Sequence, residues 1–375
     1  MNVSNIQHIR IGNLIELIST KCNNSNAFIS GIDISKKFIP TRALVSGIDT
    51  SKYLVVRPRH FACNLMHIGR DNLIPIAYND TDNDLIVSPA YSVFKIKDEC
   101  KNIIFDEYLY IFFCSSEIDR LVWFYTDSSI RGNLKISRFF DIYIPLPPLE
   151  EQKKIVTAWK SLRAMKEQNE AMSEPLFALC RSRLQEMKKE YAAVELGPML
   201  QRTDIRNYDN TIKDVKGLSV AKKFRDPTAK VDKNNLKSYK IVYPGQMCFV
   251  QTTNNEKCFV CCLSDYSHPI VVSSVNEVFF VKDEEKLHPY FLYLNFLRKE
   301  FDRYARYHSW GSAREVFNWD ALCRVKIPLP PLAVQKALVD IYRCAAEAKR
   351  IAEEADRLSR EICPALLQHA VRGGN

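Results

Sequence analysis

The 375-residue chain has only 11 glycines, and none of them builds a phosphate-cradling loop. There is no GxxxxGK[ST] run, which removes a Walker-type nucleotide site. An NPPY- or DPPY-type tetrad is missing as well, which speaks against a fused methyltransferase. No apolar run reaches the ~18 residues of a membrane span, and MNVSNIQHIR lacks a signal-peptide pattern, so cytoplasm is the expected location. Regular cysteine spacing is also absent. Cys258, Cys261 and Cys262 in KCFVCCLSD make one CxxC with no second ligand pair, and His268 has no partner. That argues against a structural zinc, and no metal site is expected. Alternation places Cys258, Val260 and Cys262 on one strand face, where buried thiols of a reducing compartment are expected.

What remains is ordinary in bulk: 46% hydrophobic and 26% charged residues, long enough for two domains with their own cores. The net charge of +9 is spread along the chain and points weakly to a polyanion.

The informative feature is duplication. IPLPPLEEQKKIV starts at Ile144 and IPLPPLAVQKALV at Ile327. The correspondence extends upstream in unchanged order. RIGNLIELIS from Arg10 is echoed by ELGPMLQRTD, and GIDISKKF from Gly31 by GLSVAKKF from Gly217. SKYLVVRPRHF matches KSYKIVYPGQM, SVFKIKDE matches EVFFVKDE, DEYLYIFF matches HPYFLYLN, and SIRGNLKISRF matches SAREVFNWDAL. One unit of about 185 residues is therefore used twice, too long for a solenoid repeat.

Each unit mixes short alternating runs with one amphipathic helix (YLYIFFCSSEIDRLVWF or PYFLYLNFLRKEFDRYA), which reads as an α/β module. A proline-stiffened joint and a long helix follow. In the first helix Ile155, Leu162, Asn169 and Leu176 form one heptad line, with Ala158, Met165, Met172 and Leu179 expected in the other and Asn169 a candidate register-setter. In the second the lines are Leu338, Ala345 and Ala352, and Ile341, Ala348, Ala355 and Ile362. Pro175 and Pro364 predict a kink or break. The expected fold is α+β: two similar α/β modules (1–147 and 195–330) joined by two long antiparallel helices (148–194 and 331–375) as a coiled-coil spacer with pseudo-twofold symmetry. Such a spacer would separate the modules by about 40–50 Å, enough to reach two half-sites on one face of DNA.

The paired IPLPPL..Q joints (with Gln152 and Gln335), the helix after each, and the GSAREVFNWDAL segment before the second resemble the specificity (S) subunit of type I restriction-modification systems over essentially the whole chain. The resemblance implies a non-catalytic protein whose two target-recognition domains each read half of a bipartite, asymmetric DNA sequence. It implies a helical spacer that docks two methyltransferase subunits carrying S-adenosylmethionine, with motor-nuclease subunits using ATP and Mg in the full complex. No cofactor is expected in this chain itself.

Within that reading, divergence between the copies marks the DNA-contacting positions. After the matching strand the first unit offers Asn64, His67 and Arg70, and the second Gln251, Thr252, Thr253, Asn254 and Asn255. Arg suits guanine O6/N7, and Asn or Gln suits adenine N6/N7. Before the joint stand Ser129, Arg131 and Asn133, and in the second unit His308, Ser309, Trp310, Ser312 and Arg314. The recurring pairs Lys36-Lys37 and Lys222-Lys223 suit phosphate contact, with a solvated strand edge as the alternative. Trp319 is replaced by Ile136 in the first unit, so that pocket differs. Glu99-x-Lys101 and Glu284-x-Lys286 have the form of a nuclease signature's tail, but both follow a KDE turn and read better as solvated charge. The rivals are a coiled-coil adaptor that binds only proteins, and the reader of a related system without a motor subunit.

Overall fold

The computed structural model describes residues 7–22, 28–41, 49–66, 73–127, 132–252, 258–311 and 315–372, with side chains as far as 362. The chain divides into two compact units, residues 1–169 with 350–375, and residues 170–349.

In the first unit β1 (Gln7–Arg10), α1 (Ile11–Leu14) and β2 (Ile15–Ile18) precede β3 (Phe28–Ile32), β4 (Phe38–Pro40), β5 (Leu54–Val56) and β6 (Phe61–Cys63). Then come β7 (Ile76–Tyr78), β8 (Leu85–Val87), β9 (Ser92–Ile96), α2 (Asp106–Cys114), α3 (Ser116–Phe124) and α4 (Ile136–Phe140). The joint strand β10 (Tyr143–Leu146) leads into α5 (Leu149–Glu190). One sheet has the order β2-β9-β6-β7, all antiparallel. A second runs β4-β3-β8-β5, with β3 and β8 parallel. Strand side chains alternate between faces. Phe61 and Cys63 of β6 therefore enter the helix-covered core with Phe94, Phe113 and Phe139, while Ala62 between them joins Val56, Val87 and Val93 against the second sheet. Being covered on both faces, β6 is buried at every position.

The second unit repeats this layering with β11 (Ala193–Glu195), β12 (Leu200–Thr203), β13 (Gly217–Leu218), β14 (Phe224–Arg225), β15 (Lys240–Val242) and β16 (Met247–Phe249). They are followed by β17 (Cys261–Leu263), β18 (Ile270–Val272), β19 (Glu277–Val281), α6 (Pro289–Phe296), α7 (Lys299–Tyr307), α8 (Trp319–Cys323), β20 (Lys326–Pro328) and α9 (Leu332–Arg372). Its main sheet is β12-β19-β16-β17, the same order as in the first unit. Met247 and Phe249 face the helices, while Cys248 packs with Val242, Ile270 and Val278. Cys261 and Cys262 are buried free thiols, and burial pushes the Cys262 thiol up to about 12.

The single amphipathic helix expected in each unit is two helices in both. Ser115 breaks the first copy: its backbone is extended, and its hydroxyl accepts from Ile118 N to cap α3. In the second copy the extended residue is Arg298. Bending there folds one long apolar stretch over the sheet on two axes.

The joint is held by its glutamine. Gln152 is fully buried; its Oε1 accepts from Phe105 N at 3.1 Å, and its Nε2 donates to Ile103 O and Pro147 O, both at 2.8 Å. Gln335 makes the same three bonds to His288 N, Lys286 O and Pro330 O. Each amide closes the polar groups that a proline-rich turn leaves unpaired.

Within each unit the long helices pack antiparallel. In the first, Lys166 Nζ meets Asp356 Oδ1 at 2.7 Å, and Ile362 packs into the core that holds Ile155, Val156 and Trp159. In the second, Phe177 lies 5.3 Å from Tyr342, and Cys180 Sγ reaches Leu338 O. The α9 lines lie inside as expected, with Leu338, Ala345, Ala348, Ala352 and Ala355 buried. On α5 one expected line is wrong by one residue: Trp159, Ser173, Cys180 and Met187 are buried, while Met165, Met172 and Leu179 are about half exposed. Asn169 donates to Met165 O within its own helix and so sets no register across the pair. Neither proline ends its helix, since α5 runs through Pro175 and α9 through Pro364. Pro175 is solvent-exposed, where water satisfies the carbonyl that loses its N–H partner. Among the described residues no helix is long and apolar enough to cross a membrane.

Candidate nucleic-acid interface

Two diverged loops per module were expected to face DNA, and backbone bonds bring each pair side by side. In the first module Leu134 N donates to Leu65 O at 2.8 Å, joining the end of one loop to the start of the other. In the second, Phe317 N donates to Gln251 O at 2.8 Å, and bridges link Thr252 and Trp310 to Val316. His67, Arg70, Ser129, Arg131, Thr253, Asn254, Asn255, Ser312 and Arg314 lie outside the described residues. The residues flanking them are well defined. Asn64 Oδ1 accepts from Met66 N at 2.9 Å, turning the chain into its loop. Asn133 closes the second neck through Asp127: Asp127 N donates to Asn133 O, and Asn133 N donates to Asp127 Oδ1. The side-chain oxygen of Asn133 is buried without a hydrogen bond. Thr252 is exposed at the corresponding point of the second module.

Gln251 has one of its two amide N–H donors committed inside the protein: Nε2 donates to Glu277 Oε1 at 2.7 Å. Glu277 is 3% exposed and also accepts two bonds from Arg202, each 2.7 Å, with Lys240 Nζ at 3.7 Å. Lys240 in turn meets Asp204 at 3.1 Å. Partial burial pushes the Asp204 carboxyl up, but bonds from Lys240 and Arg206 outweigh it and hold the group below its ordinary range. These side chains line an open polar groove of about 590 Å³. By strand register the first-module equivalents of Arg202 and Glu277 are Leu17 and Ser92, so this network belongs to the second module alone.

At the end of α7, Ser309 Oγ donates to Ala305 O and closes the helix, which makes Ser309 a capping residue. His308 is exposed and its ring lies tilted against that of Tyr304, with ring centres 4.2 Å apart. Missed in the sequence is the exposed aromatic that ends the second helix of each copy, Phe124 at 75% and Tyr307 at 84% exposure; Trp310, already named there, is 75% exposed.

The lysine pairs split. Lys36 and Lys222 cannot serve as phosphate contacts in this fold, nor are they solvated, because each is 5% exposed. Lys36 Nζ donates to Asp119 Oδ1 at 2.7 Å and to Phe113 O at 2.6 Å; Lys222 Nζ donates to Asp302 Oδ1 and Phe296 O at the same two distances. Both lysines take left-handed backbones, φ 62° and 60°, at the tip of a hairpin. Lys37 and Lys223 point outward, and Lys37 meets Glu167 at 3.1 Å in an exposed pair. The acidic turns behave as solvated charge: Lys101 pairs with Asp98 at 2.6 Å and Lys286 with Asp283 at 2.9 Å.

Residues 69–176 match the family model of the type I restriction modification DNA specificity domain. That stretch, less than a third of the chain, is similar to this domain family. The matched stretch runs from the first diverged loop through the proline joint into α5, and the second module repeats the order of its strands and helices. No curated protein sequence matches the chain. Among solved structures, the type I restriction-modification S subunit from M. genitalium is 12% identical over 96% of this chain and 97% of its own, with a TM-score of 0.59, and shares the fold. The HsdS subunit from Thermoanaerobacter tengcongensis aligns at 20% identity over 99% and 97% of the two chains, with a TM-score of 0.40. A chain from a study of type I R-M complex assembly and conformational transition aligns at 18% over 99% and 98%, with a TM-score of 0.44. The chain thus presents two copies of one loop-bearing frame.

Proposed function

We propose that this specificity chain reads a bipartite, asymmetric DNA sequence, one half with each module, and docks two methyltransferase subunits along its long helices. The observation that carries the reading is the pairing of diverged loops on a repeated frame. The two necks are tied by equivalent backbone bonds, Leu134 to Leu65 and Phe317 to Gln251, while the residues they present differ. A frame that holds orientation and loops that vary is what a non-palindromic target requires of two readers. The four-part division at 1–147, 148–194, 195–330 and 331–375 follows from it. Base contacts belong to His67, Arg70, Ser129, Arg131, Thr253, Asn254, Asn255, Ser312 and Arg314, with Asn64, Asn133, Thr252 and His308 at the loop margins. Lys37 and Lys223 supply phosphate contact. Exposed Met165 in the first unit, and Met172 and Leu179 in the second, offer apolar surface to a partner helix. Chemistry resides in partners: S-adenosylmethionine on the methyltransferase, ATP and Mg on a motor-nuclease where one is present. The chain itself is non-catalytic and works in the cytoplasm with the DNA it reads.

The test is modified-base sequencing of genomic DNA from cells expressing the chain with its methyltransferase, against cells lacking only this chain. Adenine methylation at a split, asymmetric motif that requires the chain is the expected result. A methylome unchanged by its loss, with the partner's expression confirmed, overturns the reading.

A further inference from the structure

We propose that Asp119 and Asp302 are positioning residues for base readout, with buried Lys36 and Lys222 as the braces that hold them. Each anchors the residue of its own module, Ile74 or Phe259, at which the chain returns to the sheet after the diverged segment. The proposal rests on the DNA-reading function above. One carboxylate oxygen does two things in each copy. Asp119 Oδ1 accepts from Lys36 Nζ at 2.7 Å and from Ile74 N at 3.0 Å; Asp302 Oδ1 accepts from Lys222 Nζ at 2.7 Å and from Phe259 N at 2.9 Å. Ile74 and Phe259 are the second residues after the 67–72 and 253–257 loops. The aspartate therefore pins the point at which each loop returns to the sheet.

The brace is itself braced. Tyr110 OH donates to Lys36 O at 2.8 Å and Tyr293 OH to Lys222 O at 2.6 Å, which secures the left-handed lysine backbone. The ammonium also reaches Phe113 O or Phe296 O at the end of the preceding helix, where a cation is favoured. Hairpin tip, two helices and loop end are thus tied by one polar knot inside an apolar module. A buried ion pair is seldom the most stable filling for such a site, and its better-attested use is to define one geometry. Base reading needs that definition, because a site must be held to within about 0.5 Å. The two knots agree within 0.1 Å in each of the lysine and aspartate bonds, yet HIGRDN and TNNEK, the segments shortly before the anchored residues, differ in length and share no aligned residue.

The experiment uses the full chain with its methyltransferase and reads methylated motifs in genomic DNA. The variants are Lys36→Met with Asp119→Leu, and Lys222→Met with Asp302→Leu; each removes both charges together and leaves the loop's N–H without its acceptor. Melting of the purified complexes reports folding. Asp119→Asn and Asp302→Asn, which keep shape and one acceptor, decide the matter if a double variant fails to fold. The expected result is loss of about tenfold in discrimination against single-base changes in one half of the motif for the first pair, and in the other half for the second. Folded variants that keep discrimination in both halves, or lose it equally in both, overturn the positioning role and leave the DNA-reading function standing. If the unaltered chain directs no split motif, that function falls and the positioning role with it.

Discussion

Lys36 and Gln152 show how much a single side chain decides here. Both occur in segments that repeat, but only the lysine was misassigned, because a basic pair in a hairpin has the same letters whether its cations face solvent or a buried carboxylate. Lys36→Met alone leaves the part-buried carboxylate of Asp119 without its cation, and a loss of about 2 kcal/mol is expected in denaturant unfolding of the first unit. The double change with Asp119→Leu recovers most of it, since no buried charge then stands alone; equal losses for the single and double variants would contradict this. Gln335→Ala should cost about 2 kcal/mol, because it orphans His288 N and two carbonyls in a buried joint. Its melting temperature, compared with that of an exposed control such as Lys349→Ala, checks this. The glutamine's place in the repeated motif was legible; that it bonds three backbone groups was not.

At the scale of the element, the seam of α5 is the instructive case. The Met165–Met172–Leu179 line is apolar at seven-residue spacing. The line that lies inside, Trp159–Lys166–Ser173–Cys180–Met187, is interrupted by polar residues, so periodicity favours the exposed line. The choice falls to packing against α9, and the chosen line carries Lys166 and Ser173 at points where polar groups find partners. Asp356 illustrates the consequence. Partial burial pushes its carboxyl up, but the bond from Lys166 and the charge of Arg360 outweigh that and depress it. A depressed carboxyl stabilises the fold above its ordinary range and loses that contribution as pH falls through its folded value. Asp356→Asn should therefore cost about 1 kcal/mol near neutral pH, and variant and parent should converge in acid once the pH has fallen through the depressed folded value. A difference that persists in acid would show that shape, and not charge, is at work. The breaks at Ser115 and Arg298 escaped the sequence because the apolar pattern continues across them; only the need to cover a curved sheet bends the chain there.

For the molecule as a whole, repeated frame and diverged loops lead to two expectations. Exchange of residues 1–147 for the matching segment of another specificity chain should change one half of the methylated motif and leave the other intact, read by the same sequencing. Removal of Lys37 or Lys223 should weaken binding across all sequences alike and lower the salt slope by about 0.9 for each phosphate no longer neutralised. An altered base preference in either variant would assign that lysine to readout instead.

The amino-acid sequence by itself determined that the chain is a duplication, that each copy is an α/β module with a proline joint and long helix, and which loops diverge. These are properties of order and period, which a chain carries in one dimension. Only the tertiary structure decided which line of α5 lies inside, that Gln251 answers to Glu277, and that one lysine of each pair is buried. Burial and partnership depend on residues far apart in sequence, such as Lys36 and Asp119, and no local pattern records a distance between them.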